Sequence, residues 1–161
     1  MSIERAHKIV ENYKFHTWLV RHILEGITHE ESVLSLPFET NSMNWVVGHI
    51  VTNRSHALEA AGVDHGWQNE VRELYHTGTP SIKPGDKAVR LETLLNYLDE
   101  SARLLQDALE NVSEEWLGEN FANYRGEKTR EAHLNGFHWH EGFHIGQLEI
   151  FKDFVLTIRK S

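Results

Sequence analysis

Leu91, Leu95, Leu98, Ala102, Leu105, Leu109 and Val112 recur at spacings of three and four, and this stripe constrains the fold more than any other feature. Side chains so spaced share one side of an α-helix, and an apolar stripe must be buried against another element. The spacing predicts a helix from about Asp86 to Val112, with nothing on its inward face that binds metal. Ala6, Ile9, Tyr13, His16, Val20, Ile23 and Ile27 predict a similar helix from Ser2 to about Gly26. Another starts at Ser42, a good N-cap, and runs through Met43, Trp45, Val46, Val47, Ile50 and Val51 to a stop at Gly62. A last one extends from near Thr129 towards Ile158. Its expected seam is Phe137, His140, His144, Gln147, Phe151, Phe154 and Ile158. Gly142 and Gly146 weaken it by about 1 kcal/mol each relative to Ala, which close approach of another helix would explain.

No stretch alternates with the period of a strand. The fold class expected is all-α: an antiparallel four-helix bundle, one domain over residues 1–161, with a long loop between its second and third helices. Any strand would be a minor addition in a connection. The connection Thr28–Asn41 holds Pro37 and room for a short helical turn. Gly62–Lys87 is long enough that it should serve a site or carry a small helix of its own, and Trp67 and Tyr75 suggest that it packs down. Ser113–Lys128 carries the breakers Gly118 and Gly126.

The formal charge of −8, with no cluster of Lys and Arg to offset it, excludes a nucleic-acid footprint. No apolar run reaches membrane-spanning length, and residues 1–10 lack the apolar core of a signal peptide, so a cytoplasmic protein is expected. The chain has no cysteine, so a metal site must be built from His, Asp or Glu.

His140 and His144 supply such a site's first half. On a helix they stand one turn apart on one face, and the imidazole is the commonest metal ligand. Twelve histidines in 161 residues give about one such pair by chance, so a third ligand from elsewhere is needed. His49 and His56 lie two turns apart on one helix with Asn53 between them. His16 interrupts the first apolar seam, either as a core histidine with a hydrogen-bond partner or as a neighbour of the metal. A catalyst would have a pocket over the ion, lined by residues such as His16, Tyr13, Trp45, Asn53 or His56.

Gly48–His49–Ile50–Val51, followed far downstream by His140–Glu141–Gly142–Phe143–His144–Ile145–Gly146–Gln147–Leu148, resembles the DinB-like (damage-inducible) four-helix-bundle metalloproteins. The resemblance implies that His49, His140 and His144 hold one divalent ion, with other coordination positions open and Gln147 behind a ligand. It also implies metal-dependent activation of a small thiol, in transfer or isomerisation, and a homodimer paired through its helices. Zinc is the first expectation, and nickel or iron(II) would also accept imidazoles. A small-molecule substrate, possibly a low-molecular-weight thiol, is the expected partner.

Two rival readings use the same residues. His140–Glu141–Gly142–Phe143–His144 spells HExxH, the zinc hydrolase signature with Glu141 as general base. That reading needs a strand to present substrate, and none is found; its third ligand should lie downstream, whereas the one inferred here lies upstream on another helix, and Glu141 is expected to be a solvated residue. The other rival is a non-catalytic metal-binding stress protein or sensor, since an open site only permits catalysis.

Overall fold

The computed structural model describes residues 3–67 and 69–161. The expected helix start at Ser2 lies outside them. Four long helices carry the fold: α1 (Glu4–Ile23), α3 (Met43–Ala60), α5 (Leu91–Leu109) and α7 (Arg130–Ile158). Three short ones, α2 (His29–Ser32), α4 (Asn69–Tyr75) and α6 (Glu114–Gly118), sit in the connections. Strands β1 (Asn120–Asn123) and β2 (Gly126–Thr129) form an antiparallel hairpin with Asn120 opposite Thr129 and Asn123 opposite Gly126. The protein is therefore mostly helical, with a two-stranded ornament just before α7.

Local chemistry sets the helix boundaries. Ser42 Oγ accepts the Trp45 N–H at 3.3 Å and opens α3; Thr129 Oγ1 accepts the Ala132 N–H at 3.1 Å and opens α7. At the far end of α3, Gly62 has φ +78°, its N–H reaches Glu59 O at 3.0 Å and the Val63 N–H reaches Leu58 O at 2.9 Å. This is the glycine-terminated motif that satisfies the last carbonyls of a helix.

Contacts between the long helices fix their directions. Along α1, Arg5, Tyr13 and His16 meet Glu131, Leu134 and His138 in turn, so α1 and α7 run the same way. Along α3, His49, Arg54 and Ala60 meet His140, Glu141 and Arg130, so α3 opposes α7 over most of its length. Arg21 on α1 binds Asp99 near the start of α5, and Thr17 shares Arg54 with Ser101, so α5 opposes α1. The order is up, down, down, up. A uniformly antiparallel arrangement, expected from the periodicities, is thus corrected: α3 and α5 are parallel neighbours. The physical reason is the length of Gly62–Lys87, which crosses the whole domain before α5 begins. That crossover contains α4, and Tyr75 at its end is completely buried.

The core has two apolar halves. One gathers Val20, Ile50, Leu94, Leu98, Leu148 and Phe151; the other gathers Ile9, Tyr13, Leu58, Leu105, Leu134 and Phe137. Between them lies a polar layer centred on Arg54, which is fully buried. The α5 stripe is buried as expected from Leu91 to Leu109, and Val112, past the helix end, is half-buried. Along α7 the buried line runs through Leu134, Phe137, Glu141, Ile145, Leu148, Phe151 and Val155. It is rotated by about one residue from the expected seam, and Ile158 is 43% exposed. Neither Gly142 nor Gly146 marks a tight crossing: a Cβ on Gly142 would meet His16 at an ordinary 3.4 Å, and one on Gly146 would meet nothing. Among the described residues no helix is long and apolar enough to cross a membrane.

The short α2 locks the two ends of the chain's long helices together. Thr28 and Glu31 form a reciprocal capping box, and Glu31 also accepts Arg159 Nε and Nη2, both at 2.6 Å. The Arg159 hydrogen bonds outweigh partial burial and bring the Glu31 carboxyl down to about 2. Because its folded value is depressed, this group stabilises the fold above the ordinary carboxylate range and loses that contribution as pH falls towards 2. Glu31→Gln should therefore lower stability by about 0.5–1 kcal/mol at pH 7. The deficit should shrink steadily below the ordinary carboxylate range and be largely gone near pH 2; urea midpoints measured from pH 7 to 2 that keep it unchanged would contradict this account.

Candidate metal centre

Three imidazoles converge where α3 faces α7. His49 Nε2 lies 3.2 Å from His140 Nε2, which lies 3.2 Å from His144 Nε2. All three donor atoms fall within 4.8 Å of one another, and His49 and His144 are buried. The i,i+4 spacing on α7 supplies two of them from one face. His49 comes from the opposing helix, at the level where α3 and α7 touch.

Two of the three rings have a partner at their back. His49 Nδ1 donates to Tyr75 O at 2.8 Å, which leaves Nε2 as the free lone pair. Trp45 stacks on the same ring, centroids 4.8 Å apart and planes 10° from parallel. His144 Nδ1 donates to Gln147 Oε1 at 2.7 Å, again freeing Nε2. Such hydrogen bonds from outside the cluster fix tautomer and ring plane, which is what a ligating histidine requires.

Burial pushes His49 down to about 4, its histidine neighbours adding to the fall. Burial likewise brings His140 down to about 4, helped by His144 and Arg125, and lowers His144. All three are neutral near pH 7. Neutral acceptors 3.2 Å apart face one another lone pair to lone pair. A proton on His140 Nε2 would satisfy one of its two contacts and not the other. A single cation would satisfy both: nitrogens about 2.0–2.1 Å from a tetrahedral ion lie about 3.3 Å apart. The residues therefore fit a metal ion, and these three histidines could hold one.

A cavity of about 390 Å³ opens beside the cluster, lined by His49, Thr52, Asn53, His56, Arg72 and Tyr124 among others. Two of the pocket residues expected from the sequence, Asn53 and His56, line it. The Asn53 amide nitrogen sits 3.1 Å from His49 Nε2 and donates to His49 O at 2.9 Å. His56 faces Glu59 through Nδ1 at 3.1 Å, and its ring lies tilted against Tyr124 with centroids 4.8 Å apart. The other expected liners lie elsewhere. Tyr13 is buried with its hydroxyl donating to Leu134 O at 2.7 Å, and Trp45 backs His49. His16 stacks on His138 with centroids 4.0 Å apart, outside the cluster. Its Nδ1 comes within 3.3 Å of Glu141 at an angle that makes no hydrogen bond.

Glu141 is the main correction to the sequence reading. It is 1% exposed, not solvated, and its two oxygens accept Arg54 Nε at 2.5 Å and Nη2 at 2.7 Å. Burial alone would raise its pKa; Arg54 outweighs burial and keeps it ionised. A carboxylate so engaged cannot act as the general base of an HExxH hydrolase.

The sequence reading also missed Gly48. A Cβ there would overlap the Tyr75 ring. Glycine is what lets the crossover press against α3 closely enough for Tyr75 O to reach His49. A glycine inside an otherwise β-branched helix run was the available signal.

The elements and the cluster together define a helical protein with a potential three-histidine metal site between two of its long helices. The chain belongs to the DinB superfamily, whose family model matches residues 12–148. It is similar in structure to a conserved protein of Enterococcus faecalis seen by crystallography, with a TM-score of 0.66 at 17% identity. That match covers 98% of this chain and 99% of that one, and at this identity it speaks for the fold alone. No curated protein matches the chain.

Gly48→Ala should displace Tyr75 and free the His49 ring. The expected cost is about 1–3 kcal/mol of stability from overpacking, with zinc affinity at least about tenfold weaker from the lost orientation. Zinc titration of the variant at a temperature where it remains folded measures the second effect. Undiminished affinity would show that Tyr75 does not position the ligand.

Proposed function

We propose that this protein is a metal-dependent enzyme of small molecules, with His49, His140 and His144 holding one divalent ion and the adjoining cavity receiving the substrate. The observation that carries the reading is the convergence of three neutral Nε2 atoms beside a 390 Å³ cavity. Zinc is the preferred ion, since imidazole donors at tetrahedral spacing suit it, with nickel and iron(II) as substitutes. When bound, a divalent ion held by three uncharged ligands supplies a Lewis-acidic centre that lowers the pKa of a thiol or water beside it. The chain's residues then have defined tasks. Tyr75 O and Gln147 hold two ligand rings in register. Asn53 offers an amide next to the cluster, and the hydroxyl of Tyr124 stands against Asn53. The substrate class favoured is a small thiol, for transfer or isomerisation.

A non-catalytic metal sensor needs the same three ligands but no cavity; the open space beside them favours the enzyme. For the bundle as a whole, pairing of two copies is supported by exposed aromatic residues along the α1–α7 seam. Phe15 and Trp18 are stacked on α1, and Trp139 and Phe143 stand one turn apart on α7.

Elemental analysis of the purified protein should find about one equivalent of zinc, nickel or iron. His49→Ala should lose it with helical content unchanged, because the two apolar core halves hold the helices. Chelation should abolish thiol transfer to electrophiles while lowering the melting temperature only in part. A metal-free parent that takes up none of these ions on reconstitution would end the proposal.

A further inference from the structure

If the cavity admits a small molecule, as proposed, the charges around it select its kind. Among the described residues, eight of the nine arginines have a carboxylate oxygen within 3.6 Å. Arg125 has none. In a chain with a formal charge of −8, an arginine left without a counter-charge is out of keeping with its surroundings.

The position of Arg125 is specific. It sits at the turn between β1 and β2, which Gly126 closes with φ +89°. Its Nε donates to Tyr124 Oη at 3.1 Å, and its guanidinium carbon stands 4.3 Å over the Phe137 ring. Tyr124 lines the cavity and donates to Asn53 Oδ1 at 3.4 Å; Asn53 in turn lies 3.1 Å from His49 Nε2. A continuous run of polar contacts thus leads from the guanidinium to the histidine cluster. The aromatic face and the tyrosine hydroxyl orient the guanidinium without neutralising it. They leave its terminal N–H groups uncommitted, since the ring contact uses the flat face of the group.

The arginine that lines the cavity itself, Arg72, is already satisfied: it is paired with Glu59 and donates to Ser55 Oγ at 3.1 Å, whereas Arg125 stands behind the lining residue Tyr124. One unneutralised cation therefore remains next to a site that would itself carry a positive ion. An anion completes that balance. A phosphate dianion is commonly cradled by several donors together, such as a helix N-terminus or clustered basic residues. A single free guanidinium matches a carboxylate, which it can grip with two parallel hydrogen bonds.

We propose that Arg125 binds the carboxylate of a small-molecule substrate whose reactive end reaches the His49–His140–His144 cluster. The hairpin is then the specificity element of the site, and the substrate class narrows from small thiols to small carboxylate-bearing thiols. This inference rests on the reading of the cluster and cavity as a substrate site.

The test is calorimetric binding of two thiol probes, 3-mercaptopropionate and 2-mercaptoethanol, to the zinc-loaded full chain and to Arg125→Gln and Arg125→Lys. The parent should prefer the carboxylate probe by about tenfold or more, the range expected of a charge-assisted pair. In Arg125→Gln the ratio should fall below about threefold, with melting temperature and zinc content as in the parent. Arg125→Lys, which keeps the charge but not the fork, should give an intermediate ratio, and it decides the matter if the glutamine variant fails to fold. A parent with no preference, or variants that retain it, would overturn the assignment of Arg125. Inorganic phosphate displacing 3-mercaptopropionate more effectively than propionate does would overturn the carboxylate in favour of a phosphate. A parent that takes up zinc and binds neither thiol, or takes up none of zinc, nickel and iron(II), would overturn the underlying site and this inference with it.

Discussion

The arrangement of the long helices depends on one buried ion pair. Arg54 reaches Glu141 on α7, Ser101 Oγ on α5, and Tyr13 O and Thr17 Oγ1 on α1, so one guanidinium touches all four long helices. Two charges taken out of water cost several kcal/mol each, and only good geometry with every remaining donor satisfied offsets that. Here every nitrogen of the guanidinium has a hydrogen-bond partner. Such a pair adds little stability over an apolar replacement, but it punishes every wrong register, because a shifted helix would strand a charge between two apolar halves. The polar layer thus specifies the packing that the apolar residues stabilise.

The face that carries the histidine cluster follows from that register. With Glu141 turned towards Arg54, the residue before it and the residue three after it fall on the flank of α7 that faces His49. The HExxH pattern is therefore split between two jobs in this chain. Its histidines belong to the cluster, and its glutamate belongs to the helix-locking layer. The spacing is that of the hydrolase signature, yet the glutamate has no access to the cluster side.

The helices themselves were legible in the sequence, because spacings of three and four, Ser42, Thr129 and Gly62 each act locally. The histidine pair on α7 was legible for the same reason. The rotation of α7 was not. The expected and observed seams share Phe137 and Phe151, so hydrophobicity alone does not choose between them. The choice turns on burying a glutamate, which is favourable only beside Arg54, 87 positions earlier. Direction was hidden in a similar way: the length of Gly62–Lys87 was visible, but not that it crosses the domain. His16 read as a possible neighbour of the metal because it sits on a buried seam, and only the placement of His138 shows which seam. Tyr75 and Arg125 act through a carbonyl and an unpaired charge, features that no side-chain pattern announces.

The close packing of Tyr75 on Gly48 ties a connection to a ligand. Tyr75 closes α4, and its carbonyl holds the back of His49. Lifting the crossover away from α3 and releasing the imidazole are consequently a single event. Thermodynamic linkage is reciprocal, so whatever favours the held orientation of His49 must favour the docked crossover by the same free energy. Surface connections are ordinarily the first parts of a domain to open. In this one, the local breathing of the segment around α4 would be coupled to any ion that the cluster holds, so amide exchange there would report on a site to which the segment contributes no side-chain donor.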